Sequence, residues 1–270
     1  TYNPGLFKRK VRAVTDLNLA IHQGEVFGLV GPNGAGKSST IRMILGMSRP
    51  DQGEILFRGT PIQHSDFRHH VGYLPENPYL YDYLNLEELL QFCGRTSGLD
   101  KKATLERGQA LMEKLQLSEA RRRPLRTFSK GMLQRAGICF ALLHDPSIVI
   151  LDEPMSGLDP LGRHMVFDLV LDLKKQGKTV FFCSHILSDV ERLCDRIGVM
   201  VQGRLVRTLG KDEFLESSAQ RVHLLLGSVD AESERRLTEL PVETRHEPEG
   251  LLLSVSGPDL AQVSQALAAA

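Results

Sequence analysis

The chain has 270 residues, which is enough to bury one large hydrophobic core and leave room for a smaller second unit. Its 33 basic residues balance its 33 acidic residues, so no overall positive field attracts nucleic acid, and we expect no nucleic-acid partner. No apolar run approaches the roughly 20 residues that a membrane-spanning helix needs, so a function at a membrane would require another chain. Four cysteines without metal or redox spacing favour the reducing cytoplasm over a secreted state.

The first predicted elements surround a compact apolar segment near the start of the chain. Residues 11–21 predict a strand or a pair of short strands, and because Thr1 is not an initiator methionine we expect a strand upstream of it. Residues 26–30 predict a fully buried parallel strand. A glycine-rich loop, a helix over about 38–47 and a strand at 53–57 follow.

Residues 77–128 are more polar and have the pattern of helices, which predicts a helical subdomain inserted into an α/β core. One helix begins at Asn85, where Glu88 three residues later completes a capping box, and another begins near Asp100. A helix over about 130–143 then leads back into the core.

The next part of the chain alternates apolar strands with helices, which argues for a mainly parallel sheet. The predicted elements are strands at 147–151 and 179–183, a helix opened by Asp159-Pro160 and closed by Gly177, a helix capped by Ser188 with Glu191, and a hairpin over 198–206.

The pattern changes again after residue 218, which predicts two units, 1–218 and 219–270. The second unit is predicted as a small α+β appendage, with strands at 221–226, 242–246 and 251–256 and helices at 231–240 and 259–269. Four roles remain open for it: regulation, strengthening a homodimer, binding a partner, or capping the fold.

Residues 31–38 (GPNGAGKS) match the pattern G-x-x-x-x-G-K-S/T between a predicted strand and a predicted helix. The glycines let successive backbone N–H groups turn towards phosphate oxygens, and the helix N-terminus adds its positive dipole end. Lys37 is expected to neutralise the β- and γ-phosphates, and the Ser38 hydroxyl is expected to bind Mg²⁺. The motif therefore predicts ATP and Mg²⁺ as cofactors, with ATP contacts from Asn33, Gly34, Ala35, Gly36, Lys37, Ser38 and Ser39.

Two carboxylates, Asp152 and Glu153, follow the buried strand at 147–151. Acids at the carboxyl end of such a strand face the same crevice as a phosphate loop. We expect Asp152 to hold Mg²⁺ and Glu153 to act as general base towards the attacking water. His185 ends the strand at 179–183, where its imidazole can contact a γ-phosphate oxygen.

Residues 128–135 read FSKGMLQR, which resembles the signature motif of ATP-binding cassette (ABC) proteins, and the resemblance extends from Tyr2 to about Gly210. It implies a head-to-tail dimer, of two copies or with a paralogous subunit, that sandwiches two ATP molecules. The signature residues implied to contact the partner's ATP are Ser129, Gly131 and Gln134. Tyr2 resembles the aromatic residue that stacks on adenine, Asp159 the residue that crosses the dimer interface, and His185 the switch histidine.

The sequence departs from the common ABC pattern at two places. Lys130 and Met132 stand where the signature usually has glycine and glutamine, and Glu76 stands where the family usually has glutamine. Glu76 is a third implied Mg²⁺ ligand beside Ser38 and Asp152. Because glutamate adds a full negative charge near the γ-phosphate, we expect Glu76→Gln to change the Mg²⁺ dependence of hydrolysis.

The implied fold is a P-loop α/β core with a mainly parallel sheet, an antiparallel N-terminal β part, the helical subdomain and the C-terminal appendage. Residues 73–76 and 157–160, together with the signature, resemble a bacterial export branch with separately encoded permeases. The implied function is an ATPase motor at the cytoplasmic face of the cell membrane, driving an integral-membrane permease. The tyrosine-rich segment 77–83 either touches that permease or packs the subdomain. A non-transport ABC protein and a small-molecule kinase are the rival interpretations; a kinase would need no signature motif.

Overall fold

The computed structural model describes residues 12–213, 222–227, 242–247 and 250–255. Contacts divide the chain into two units, Thr1–Lys211 and Asp212–Ala270. The predicted boundary at residue 218, Tyr2 and the predicted helices at 231–240 and 259–269 lie outside the described residues.

The first unit is built on a six-stranded sheet with the order β4-β5-β6-β1-β7-β8. Neighbouring strands pair in parallel from β4 to β7, and β8 pairs antiparallel with β7. A separate two-stranded antiparallel ribbon is formed by β2 and β3. The strands are β1 (Val26–Val30), β2 (Leu56–Phe57), β3 (Thr60–Pro61), β4 (Val71–Leu74), β5 (Ile148–Asp152), β6 (Thr179–Ser184), β7 (Arg196–Val201) and β8 (Arg204–Gly210). The predicted α/β fold with a mainly parallel sheet is confirmed.

The central strands are buried because their side chains are almost all apolar. Every residue of β1 and β6 is buried, and the rings of Phe27 and Phe181 stack with their centroids 6.0 Å apart. The α-helices whose full extent is described are α1 (Lys37–Ile44), α2 (Phe67–His70), α3 (Leu86–Thr96), α4 (Lys101–Lys114), α5 (Lys130–Leu142), α6 (Pro160–Lys175) and α7 (Leu187–Leu193).

The predicted start of α3 is confirmed in detail. The Asn85 side chain accepts a hydrogen bond from the Glu88 backbone, and the Glu88 carboxylate accepts one from the Asn85 backbone, both at 2.9 Å. Asp100 caps α4 through the Ala103 backbone N–H. Local capping chemistry therefore sets both helix starts in the predicted helical subdomain.

Two local predictions were wrong. Residues 12–21 form no strand; the Thr15 backbone N–H donates to the Gly203 carbonyl of the turn between β7 and β8. Ser188 does not cap α7, which begins at Leu187 without a side-chain cap. The Ile186 backbone N–H, just before the helix, donates a hydrogen bond to the Ser184 hydroxyl at 3.0 Å.

Within the second unit, three described strands form an antiparallel sheet in the order β10-β11-β9. They are β9 (Val222–Leu226), β10 (Val242–Glu247) and β11 (Gly250–Val255), in agreement with the predicted strands. All four cysteines of the chain are free and buried. No helix in the described ranges has the length and apolar character to cross a membrane.

Candidate functional site

The glycine-rich loop turns tightly between β1 and α1. Gly34 and Gly36 have φ values of 81° and 105°, a region that favours glycine. A Cβ at Gly31 would lie 2.1 Å from the Met200 carbonyl oxygen, so the loop also needs glycine for close packing. No side chain caps the N-terminus of α1. Its first backbone N–H groups therefore remain available to an anion.

Lys37 lies inside this loop with only 6% of its surface exposed. Its ammonium donates to the Gly31 carbonyl at 2.7 Å and stands 3.8 Å from a Glu153 carboxylate oxygen. Because an ammonium has three donors, Lys37 can keep the Gly31 bond and still reach a phosphate. The other predicted loop residues occupy the same turn: Asn33, Gly34 and Ser38 are exposed, Gly36 and Ser39 are half-buried, and Ala35 is buried.

Asp152 is the last residue of β5 and is 3% exposed. Its Oδ1 atom has no hydrogen-bond partner. Burial raises the pKa of the Asp152 carboxyl to about 6, the Ser38 hydroxyl offsets part of this rise, and the charges of Glu153 and Glu76 add to it. Lys37 offsets this rise only in part, so the buried carboxylate remains short of positive charge.

A divalent cation would supply that charge. No group of three or more His, Cys, Asp or Glu residues suited to a metal occurs in the described part of the chain. Mg²⁺ typically uses one or two protein carboxylates and completes its shell with phosphates and waters. Asp152, the Ser38 hydroxyl and Glu76 therefore fit Mg²⁺ bound together with a nucleotide.

Glu153 stands beside Asp152 and is 8% exposed. Its carboxylate meets the His185 Nδ1 atom at 2.9 Å on one side and Lys37 on the other. Strands β5 and β6 are neighbours, with Asp152 opposite Cys183, so their carboxyl ends bring Glu153 and His185 together. The acid is thus held between a cation and an imidazole at the phosphate loop.

The signature segment begins α5. Ser129 is exposed and is the N-cap of this helix, where its hydroxyl accepts from the Met132 backbone N–H at 3.2 Å. Gly131 is half-buried in the first turn, and Gln134 is 1% exposed, with its amide turned towards Glu153. Asp159 is exposed and caps α6 by accepting from the Gly162 N–H at 2.7 Å.

A family model described as "ABC transporter" matches residues 14–156, more than half of the chain. The chain belongs to the ABC transporter ATP-binding family.

Similarity to individual proteins agrees with this assignment. The chain is 45% identical, over 80% of its own length, to the uncharacterized ABC transporter ATP-binding protein sll0415 of Synechocystis, and spans 63% of that relative's length. It is 34% identical to the Nod factor export ATP-binding protein I of Cupriavidus pinatubonensis, covering 92% of this chain and 83% of the relative. A solved structure, titled as the ATP-binding subunit of an ABC transporter, is 33% identical with a TM-score of 0.71, covering 76% of this chain and 86% of the other.

One feature of this ABC protein was missed in the sequence. Arg163 on α6 donates to both carboxylate oxygens of Asp189 on α7 at 2.9 Å, and Arg192 lies over the Phe167 ring at 4.4 Å. These contacts join the helix after Asp159 to the helix after His185. No local pattern could reveal a pair that is 26 positions apart.

Proposed function

We propose that the chain is the ATP-hydrolysing motor subunit of an ABC transporter. In this proposal a head-to-tail ATP-sandwich dimer drives a separate integral-membrane permease from the cytoplasmic face of the membrane. The observation that carries the proposal is the Glu153 carboxylate, held between Lys37 and His185 beside the phosphate loop and the unpartnered Asp152 oxygen.

The chain's own residues account for the chemistry. The loop N–H groups and Lys37 bind the phosphates, while Glu153 accepts the proton of the attacking water. His185 fixes the Glu153 carboxylate through Nδ1 and leaves its other ring nitrogen to meet the γ-phosphate. Mg²⁺, when bound, would neutralise charge on the phosphate oxygens.

The dimer is supported by the exposed Ser129 at the N-terminus of α5, where the family resemblance implies a contact with the partner's ATP. Glu153→Gln is expected to bind ATP, to lose nearly all turnover and to accumulate as an ATP-dependent dimer in size-exclusion chromatography with light scattering. Glu106→Gln, on the exposed face of α4, is the matched control and should behave as wild type. Near-normal turnover in Glu153→Gln would remove Glu153 from the role of base.

The proposed permease contact is supported by an exposed aromatic surface in the helical subdomain. Tyr79, Tyr81 and Tyr83 are 98%, 50% and 67% exposed. Tyr81 packs against Tyr83 and against Phe92, with centroid distances of 5.9 and 5.7 Å. Packing within the subdomain therefore explains the position of the Tyr81 ring but gives no role to the exposed Tyr79 ring. Exposed aromatic surface is typical of interaction sites.

The proposed direction of transport is export. It is supported by the names of two relatives, a Nod factor export ATP-binding protein and a linearmycin resistance ATP-binding protein. Affinity purification of the tagged protein from mildly solubilised native membranes tests the partner. A multi-span membrane protein should co-purify, and its recovery should fall for Tyr79→Ala but not for Val206→Ala, a control with a side chain that is 65% exposed. Recovery of ribosomes or DNA instead would favour a non-transport ABC protein.

A further inference from the structure

The backbone of Glu153 adopts a conformation that its sequence does not favour. Its φ angle is +50°, in the left-handed region that non-glycine residues seldom occupy. The Glu153 N–H donates to the Cys183 carbonyl at 2.9 Å, which fixes the amide side of the residue. The direction of the Glu153 carboxylate therefore also depends on the contacts that hold the Glu153 carbonyl.

Gln134 supplies that second support. Its Nε2 atom lies 3.4 Å from the Glu153 carbonyl oxygen and 3.4 Å from the Pro154 carbonyl oxygen. Because proline has no N–H, the Glu153–Pro154 peptide bond offers only its oxygen for hydrogen bonding. Both neighbours are acceptors, so the amide nitrogen of Gln134 and not its oxygen must face them.

Gln134 belongs to the helix that carries the signature. The start of this helix lies against the loop after Glu153: a Cβ added at Gly131 would lie 3.3 Å from the Gly157 carbonyl oxygen. The Lys130 side chain covers Gly157 so closely that a Cβ there would lie 2.7 Å from Lys130 Cδ. The first turn of α5 is thus in contact with the loop after the acidic pair at Gly157.

We propose that Gln134 is a positioning residue for hydrolysis, which ties the signature helix to the backbone of the general base. A side chain that is 1% exposed and directed at the Glu153 carbonyl has almost no surface left for contact with a partner's ATP. Movement of α5 when its N-terminus meets ATP is passed to the Glu153 carbonyl, and so to the carboxylate. This inference rests on the proposed ATPase function.

The test begins with Gln134→Met, which keeps the length of the side chain and removes both donors. The kcat for Mg-ATP should fall by about 10- to 100-fold, the range expected when a catalytic group is misplaced by about 1 Å. The KM for Mg-ATP should stay close to that of the wild type, because in this proposal Gln134 does not contact the nucleotide. Gln109→Met, which removes an exposed α4 glutamine that bonds to Glu113, is the control and should leave both kcat and KM unchanged.

A double-mutant cycle separates positioning from ATP contact. In a Glu153→Gln background, Gln134→Met should cause no further loss of turnover, and calorimetric ATP affinity and the ATP-dependent dimer should both be retained. Loss of ATP binding or of the dimer in that background would overturn the proposal in favour of a contact with the partner's nucleotide. An unchanged kcat in Gln134→Met would overturn it directly.

If Gln134→Met does not fold, Gln134→Asn keeps a donor that is one methylene further from both carbonyls. It should fold and lose part of kcat, and full activity would refute the proposal. The two hypotheses fail differently. Normal turnover in Glu153→Gln would defeat the proposed base, whereas an inactive Glu153→Gln with fully active Gln134 variants would defeat only the positioning role.

Discussion

Asp152→Asn should stabilise the folded protein when nucleotide and Mg²⁺ are absent, and should weaken Mg-ATP binding. Burial raises the pKa of Asp152 from 3.8 to about 6. Ionisation of this carboxyl therefore costs more free energy in the folded state than in the unfolded chain. A shift of about 2 pKa units corresponds to about 3 kcal/mol of unfolding free energy at 1.36 kcal/mol per unit. The asparagine variant, which cannot ionise, escapes this penalty.

The sign follows from proton binding. Between about pH 4 and pH 6 the folded state binds more protons at Asp152 than the unfolded state, so the stability of the wild type falls as pH rises through this window. Above about pH 6 the full penalty is present. The stability gained by Asp152→Asn should therefore be small near pH 4, grow up to pH 6 and stay constant beyond it.

Urea denaturation in EDTA measures this gain as the difference in unfolding free energy between the variant and the wild type. The contributions of the other titrating groups are the same in both proteins and cancel in the difference. Asp172→Asn is the matched control: its hydrogen bond with Lys114 lowers the pKa of Asp172, so this substitution should bring no gain. Addition of Mg-ATP should stabilise the wild type and not Asp152→Asn. A difference that does not depend on pH, or a variant less stable than the wild type at pH 8, would refute the reasoning.

Three further predictions concern other parts of the site and the core. Glu76→Gln should shift the Mg²⁺ concentration for half-maximal hydrolysis, and identical Mg²⁺ titrations for variant and wild type would contradict this. Gly28→Ala should destabilise the protein by about 1–3 kcal/mol, because the added Cβ would lie 2.3 Å from Val190 Cγ1; an unchanged denaturation midpoint would show that α7 can move away. Burial lowers the pKa of His144, which donates to the Val71 carbonyl at 3.1 Å, so wild-type stability should fall as pH drops below the ordinary histidine pKa. His144→Gln should lose this component, and equal pH dependence in both proteins would argue against it.

The contiguous parts of the candidate site can be located from the sequence alone. The phosphate loop requires particular residues at fixed spacing, and each predicted loop residue lies in the turn before α1 or at its start. The capping box at Asn85 and Glu88 is equally local. Such features depend on a few neighbouring residues, and their chemistry can be read without knowledge of the rest of the chain.

Features that depend on residues far apart in the sequence could not be predicted from local patterns. The contact of Glu153 with His185 follows from the pairing of β5 with β6, which strand order along the chain does not specify. Residues 12–21 have a strand-like pattern, yet none of them lies in a strand. The inward direction of Gln134 follows from the packing of α5 against the loop after Glu153, which the motif alone does not reveal. The contact of Gln134 with the partner's ATP, implied by the family resemblance, stays a prediction.

Release of inorganic phosphate from ATP is the measurement that tests the central claim most directly. Wild-type protein should release phosphate and ADP in equal amounts, only with Mg²⁺ present, and Glu153→Gln should release almost none while still binding ATP. Transfer of the γ-phosphate to an acceptor other than water, or ATP binding without Mg²⁺-dependent turnover by the wild type, would contradict the account of this chain as an ATPase motor.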